Sequence, residues 1–286
     1  MNSNDINIRG PKIKVNLNNG PKVENIGYGT FIGGDSDLIE LKNGWDMSYS
    51  GFVSYNGSHQ NYDTVSVYQN GGTLGGTATF YKNNFFTGLT ANVGASVAEA
   101  STMYGQDTMT MLLAGIASKT GYNWELFNRK LIIQPSFLMS YSFVNTFDYT
   151  NAAGVKVHSS PLNAIQIAPG LKFIGNLPHG WQPYIGLQMV WNIMDNSKVK
   201  ANDIWLPETS VDPYFQYGVG VQKRVGDRFT GYAQAMLRNG GRTGIALSAG
   251  FRWALGKDTS NGTLKQTNNS VPELPKTKMN LGSTSK

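Results

Sequence analysis

Leu131-Ile132-Ile133-Gln134-Pro135-Ser136-Phe137-Leu138-Met139-Ser140-Tyr141-Ser142-Phe143 decides the fold class. In steps of two, one set is Leu131, Ile133, Pro135, Phe137, Met139, Tyr141 and Phe143, and the other is Ile132, Gln134, Ser136, Leu138, Ser140 and Ser142. Successive side chains of a strand point to opposite faces, whereas a helix returns to the same face every 3.6 residues. This stretch is a strand with one apolar, aromatic face.

The pattern repeats outward in both directions. At 181–193, Trp181, Pro183, Ile185, Leu187, Met189, Trp191 and Ile193 alternate with Gln182, Tyr184, Gly186, Gln188, Val190 and Asn192. At 243–255, Ile245, Leu247, Ala249, Phe251, Trp253 and Leu255 alternate with Gly244, Ala246, Ser248, Gly250, Arg252 and Ala254. Further runs lie near 44–55, 85–97, 164–175, 214–224 and 228–238, and weaker ones at 11–17, 24–34, 64–81 and 107–120, making twelve. The segment 64–81 is interrupted by Gly71, Gly72, Gly75 and Gly76. Lys82 to Asn84, Leu177 to Gly180 and Val225 to Asp227 have tight-turn composition, while Asn145 to Ser160 and Asp195 to Thr209 are long and polar.

Composition agrees with an all-β chain and removes several function classes. Of 286 residues only 15% are charged, against 40% hydrophobic, with 34 glycines and 14 tyrosines. No apolar run reaches the eighteen or so residues of a helical membrane span. The net charge of +6 is partly a tail effect, since five lysines and only Asp258 and Glu273 lie from Gly256 onward. The other basic residues are scattered, which excludes the clustered face that nucleic acid requires. With no cysteine there is no disulfide or thiol chemistry, which suits a chain that crosses an oxidising compartment. Met1 to Gly10 is polar and has no signal-peptide core.

Alternation alone fits a soluble sandwich as well as a membrane barrel, but strand length separates them. Runs of ten or more residues cross a bilayer when tilted, while sandwich strands average about five or six. Trp45, Trp181 and Trp253 fall at strand ends on one side, and Tyr55, Tyr141, Phe143 and Trp191 on the other. Two aromatic girdles of that kind bound a membrane slab. The alternate face carries Asp46, Gln134, Gln166, Lys172, Gln182, Gln188, Gln216, Gln222, Arg224, Arg228, Gln234 and Arg252, suited to a wet lumen. The expected fold is all-β: a closed antiparallel 12-stranded transmembrane β-barrel with short periplasmic turns and longer external loops.

The last strand, Ser248-Ala249-Gly250-Phe251-Arg252-Trp253-Ala254-Leu255, fits the outer-membrane assembly signal: polar, glycine, aromatic and apolar residues at fixed spacing. Together with VDPYFQYGVGVQKRVGDRFTGYAQAMLRNGGR at 211–242 and ENIGYGTFIGGDSDL at 24–38, it resembles the autotransporter β-domain, the translocator of type V secretion. The resemblance spans about residues 8–255. It implies a single-copy barrel in a Gram-negative-type outer membrane, inserted by the barrel assembly machinery, that anchors and exports an N-terminal passenger. Residues 1–7 then read as residual linker, with the passenger outside this chain. Residues 256–286 read as a disordered periplasmic tail.

Catalytic and ligand-binding alternatives have less behind them. His59, His158 and His179 fall in expected loops or turns, and Val157 to Pro161, the nearest string to a hydrolase arrangement, lies in a long loop. Asp195, Asp203, Glu208 and Asp212 share one external loop that could take a divalent cation, although a solvated loop is the plainer reading. Gly27, Gly29 and Gly33 are not followed by the helix that a nucleotide fingerprint needs. Asp46, facing the lumen, is given no catalytic role. No enzyme, cofactor or metal is expected, and the competing function is a small porin-like channel.

Overall fold

The alternation is realised as long antiparallel strands in a computed structural model, which describes residues 3–10, 12–15, 17–18, 23–62, 64–193, 198–202, 204–205, 210–226 and 229–254. Strand β1 is Ser3–Gly10 continued by Lys12–Val15. It is followed by β2 (Val23–Asp35), β3 (Asp46–Asn61), β4 (Ser66–Lys82), β5 (Phe85–Thr102) and β6 (Gly105–Tyr122). The second half comprises β7 (Leu131–Thr146), β8 (Leu162–Gly175), β9 (Trp181–Ile193), β10 (Tyr214–Val225), β11 (Phe229–Gly240) and β12 (Arg242–Ala254). There is no α-helix among the described residues.

Each strand pairs antiparallel with its neighbours in sequence, and β1 also pairs with β12, so the sheet closes. One register runs through the whole seam: Ser3 opposes Ala254, Gly10 opposes Leu247, and beyond the gap at residue 11 Ile13 still opposes Gly244. Closure removes both sheet edges, which is the condition for backbone polar groups to lie in hydrocarbon.

The strands exceed their sequence-based limits. β5 and β6 each run eighteen residues, well past the nine to eleven or so that cross a bilayer, so the wall projects beyond a membrane slab. β1 starts at Ser3 rather than near Pro11. Ile6 and Ile8 do alternate there, but Asn4, Asp5, Asn7 and Arg9 make the run read as polar linker until its two partner strands are known. Residues 255–286, which include Leu255 and the expected tail, lie outside the described residues.

Connections at the end where β1 begins are called near, those at the opposite end far. The two longest, 147–161 and 194–213, are both far. Short connections also occur at that end, namely Met103-Tyr104 and the single Gly241. Two near connections are more elaborate than tight turns: 36–45 holds a short strand at Ile39–Glu40, and 123–130 another at Trp124–Leu126.

The interior is not an oil-like core, so rings and glycines interlock to hold the wall. Tyr184 on β9 faces Gly220 on β10, and a Cβ at Gly220 would sit 2.3 Å from the ring. The ring crosses that gap so that its hydroxyl can donate to Gln234 Oε1 on β11, at 2.9 Å. In the same way Phe52 occupies the space above Gly75, where a Cβ would meet its ring at 2.6 Å. Gly75, one of the four glycines that weakened the strand signal at 64–81, is therefore a socket for a neighbouring ring, while Gly71 lies against Ser96 and backbone of β5. Gly220→Val should destabilise the barrel by about 1–3 kcal/mol through overpacking, measured as a lower unfolding midpoint on semi-native electrophoresis in detergent. In a Tyr184→Ala background the same substitution should cost much less. Equal costs in the two backgrounds would mean that the ring is not the obstacle.

Candidate functional site: the inner wall

The two faces of each strand meet different surroundings. On β9 the outward Ile185 is 60% exposed, while the inward Gln188 is buried. Gln134 and Gln216, on β7 and β10, are 1% and 2% exposed on the inner face. These amides are engaged rather than stranded: Gln134 Nε2 donates to Asn123 Oδ1 at 2.6 Å, Gln166 Nε2 to Asn192 Oδ1 at 2.9 Å, and Gln182 Nε2 to Asn176 Oδ1 at 2.8 Å. Gln216 Oε1 accepts from Arg238 Nε at 3.0 Å. Such pairing is required of polar groups withdrawn from water.

Asp46, Lys172, Gln222, Gln234, Arg224 and Arg252 share the inner face with these residues, by the strand parity that Gln134, Gln188 and Gln216 set. Lys172 Nζ lies 5.0 Å from the Tyr184 ring centre, in cation–π range. Arg228 lies outside the described residues. The same parity adds Lys119, Arg238, Arg242, Asp35 and Asp107, which residue-by-residue scanning passed over. Asp35 escaped because β2 runs one residue past the 24–34 segment. Arg242 lies just before the alternating segment 243–255, at the short far turn of Gly241, whereas Arg238 closes the segment 228–238 on the inner parity. With these included, cations outnumber carboxylates on the described inner face.

One ion pair fastens the seam. Arg252 Nη2 on β12 reaches Asp35 Oδ2 on β2 at 2.8 Å, each only about a quarter exposed. The pair spans the width of β1, so it ties the last strand to the second across the first.

Aromatic residues collect toward both ends of the outer wall. At the near end Trp45 meets Phe85 edge-on at 6.2 Å, Lys223 Nζ lies 4.4 Å from the Trp181 ring centre, and Trp253 meets Phe229 at 5.9 Å. Phe85, Phe229 and Trp124 belong to this band and were missing from the sequence-based set. Toward the far end Tyr55 donates to Asn70 Oδ1 at 2.7 Å and Tyr141 to Asn163 Oδ1 at 2.6 Å, with Phe143 and Trp191 on the same outer parity. In the last strand Ser248 and Gly250 point inward, and Phe251 and Trp253 outward.

The histidines do not converge. His59 is on β3 and stacks on Tyr68 at 4.0 Å, His158 pairs with Asp148 in the connection 147–161 at 2.5 Å, and His179 sits in a near turn. His59 thus lies in a strand and not in a loop, because β3 continues to Asn61 where the apolar alternation has already faded. Asp212 lies two residues before β10, whereas Asp195, Asp203 and Glu208 lie outside the described residues. Gly29 and Gly33 face backbone oxygens of β3, with Cβ positions 2.7 Å from the Tyr55 oxygen and 2.9 Å from the Gly51 oxygen. They serve close strand approach rather than a phosphate site.

A family model described as the autotransporter beta-domain matches residues 12–236. Among solved structures, the transport unit of the autotransporter AIDA-I from Escherichia coli superposes with a TM-score of 0.72 at 16% identity, covering 88% of this chain and 90% of that one. The beta domain of the Bordetella autotransporter BrkA gives 0.71 at 17% identity, covering 88% and 98%. The translocator domain of NalP from Neisseria meningitidis gives 0.74 at 10% identity, covering 88% of each chain. No curated protein sequence matches the chain.

Two measurements test the assignment of faces and seam. Leu187→Arg places a charge on the outer wall and should cost roughly 2 to 4 kcal/mol if that wall meets hydrocarbon; Gln188→Arg, one residue along and pointing inward, should be tolerated far better. Urea unfolding in lipid vesicles reads both, and equal penalties would reverse the faces. Separately, Asp35→Ala should lower the stability read from urea unfolding by about 1–3 kcal/mol, because it removes a carboxylate from beside Arg252, which is only about a quarter exposed. The exchanged pair Asp35→Arg with Arg252→Asp should recover part of that loss.

Proposed function

The chain belongs to the autotransporter β-domain family, whose members are integral outer-membrane translocator barrels, and on that premise we propose that its inner wall holds and passes the linker of an N-terminal passenger. The observation that carries this reading is the inner wall itself. Paired amides present a hydrogen-bonding surface, and Lys119, Lys172 and Arg224 give it a positive field. A peptide can slide along such a wall, because no single contact is strong enough to trap it.

The near end is periplasmic in this reading and the far end external, so the chain termini stay on the side from which assembly proceeds. Outer-membrane lipid contacts the outward face, and the barrel assembly machinery reads Ser248, Gly250, Phe251, Trp253 and Leu255. The barrel works as a monomer, with residues 256–286 on the periplasmic side. In this reading its work is mechanical, and the three histidines lie apart, on the outer wall, in one far loop and in one near turn.

The test places a secretion signal and an epitope upstream of Met1 and probes intact Gram-negative cells with protease. The epitope should be cleaved at the surface while a heat-modifiable barrel is present in the outer membrane. Replacing both Gly250 and Trp253 with Asp should abolish barrel and surface epitope together. A well-inserted barrel whose epitope remains periplasmic would transfer the assignment to a porin-like channel.

A further inference from the structure

The inner wall changes character toward the far end. There Val67, Ala98, Met109, Met111, Val144 and Leu162, from β4 to β8, turn inward and pack as one apolar cluster. Met111 is 2% exposed and Ala98 1%. Inward side chains at the rim of an open barrel would be among its wettest, so their burial requires a cover.

Connections supply that cover. Tyr149, Tyr62 and Val65 pack onto the cluster. Phe147 N–H extends the β6–β7 ladder by one rung to the Thr110 carbonyl at 3.0 Å, and farther along the connection 147–161 Ala152 N–H donates to the carboxylate of the inward Asp107 at 2.6 Å. Burial, and after it the charge of Asp107, raises the Tyr149 hydroxyl above its ordinary pKa, in keeping with a site withdrawn from water.

The cover is also tied across the mouth. Tyr149–Thr150, Lys156–Ser159, Val199–Ala201 and Ile204–Trp205 form a four-stranded sheet joining the β7–β8 connection to the β9–β10 connection. Farther along the latter, Ser210–Val211 pairs with Leu17–Asn18 beyond β1, and Val211 is buried against Ile13, Val15 and Val23. One set of backbone pairings thus ties the β7–β8 connection to the β9–β10 connection, and a second ties Ser210–Val211 to the segment that follows β1.

We propose that the connection 147–161, braced by 198–202 and 210–211, is a lid that seals the external mouth at rest, and that passage through the lumen requires it to lift off the apolar collar beneath. The translocator reading supplies only which end is external. The closure follows from the apolar collar and the strap of loops, because a dry apolar constriction blocks ions by excluding water. No bond is made or broken; lifting exposes the collar and Tyr149 to water.

The purified full chain, reconstituted in planar bilayers in potassium chloride, tests this without any passenger. Wild type should stay closed apart from brief openings. Replacing Asp148 to Ser160 with a short Gly-Ser turn should raise the open fraction about tenfold or more, as should Tyr149→Asp, which puts a charge on the underside of the lid. Ser159 and Val199 are direct partners next to the Ser160–Lys198 hydrogen bond, so their Cα atoms lie about 4.5 Å apart, within disulfide reach. The chain has no cysteine to compete, and Ser159→Cys with Val199→Cys should suppress openings when oxidised and recover them with reductant. Heat-modifiable migration verifies that each variant is folded; should the deletion fail to fold, Tyr149→Asp and the disulfide decide. The lid is refuted by a wild-type barrel that conducts steadily at the lidless level, or by a folded Tyr149→Asp barrel with the wild-type open fraction. Surface display of the upstream epitope is scored separately, so a missing lid and a missing translocator give different results.

Discussion

The pairing of β1 with β12 is the constraint on which the rest of the structure depends. A sheet of this width exposes two full edges until it closes, and an unpaired N–H or C=O in hydrocarbon costs several kcal/mol. The seam therefore cannot be one contact among many. Its register is the same from Ser3 opposite Ala254 to Val15 opposite Arg242, and the Arg252–Asp35 pair adds a polar tie on the inner side. Closure also fixes the side-chain parity of every strand, because a slip of one residue at the seam would turn the faces of β12 inside out. Phe251 and Trp253 would then point into the lumen, and Arg252 into lipid.

Once closed, the wall needs a source of rigidity other than an apolar core. Tyr184 crossing Gly220 to reach Gln234 links three consecutive strands through one side chain. Phe52 over Gly75 does the same between β3 and β4. A ring seated over a glycine recovers packing density along the wall itself. This accounts for a glycine content that would weaken strands in a soluble sheet but here supplies seats for aromatic residues.

The period of two, the strand count and the apolar parity were legible because each is local: Leu131 to Phe143 names its own faces with no knowledge of its neighbours. Strand ends were less legible. Beyond the hydrocarbon the outer face has no need to be apolar, so the alternation fades where β3 continues to His59 and Asn61, and where β1 opens with Asn4 and Asp5. The inner cation Arg242 was hidden by a turn of a single residue, Gly241, which leaves it just outside the segment 243–255. The apolar collar was hardest to see, because Val67, Met109 and Met111 occupy positions that a wet lumen would fill with polar side chains. Read alone they blur the alternation of β4 and β6. Their meaning depends on Tyr149, which lies far away in sequence and reaches them only after the barrel has closed.

The division of the lumen into a polar stretch and an apolar mouth bears on how one barrel can both pass a chain and keep a membrane tight. A polypeptide in transit exchanges hydrogen bonds with water for similar ones with Gln166, Gln182 and Gln222, at little net gain or loss. An apolar collar left bare would behave differently: it would hold hydrophobic segments of the moving chain, and once empty it would face water along its whole rim. Covering it with the underside of a tethered connection answers both problems, since Tyr149 competes for the collar from a position that it never leaves by more than the reach of its loop. A tether of this kind raises the effective concentration of the cover far above that of any passing segment. Closure then follows passage without a separate signal, and its strength is set by the apolar area at Tyr149, the hydrogen bond from Ala152 to Asp107 and the pairing of Val157–Ser159 with Val199–Ala201, contacts that are local enough to re-form behind the moving chain.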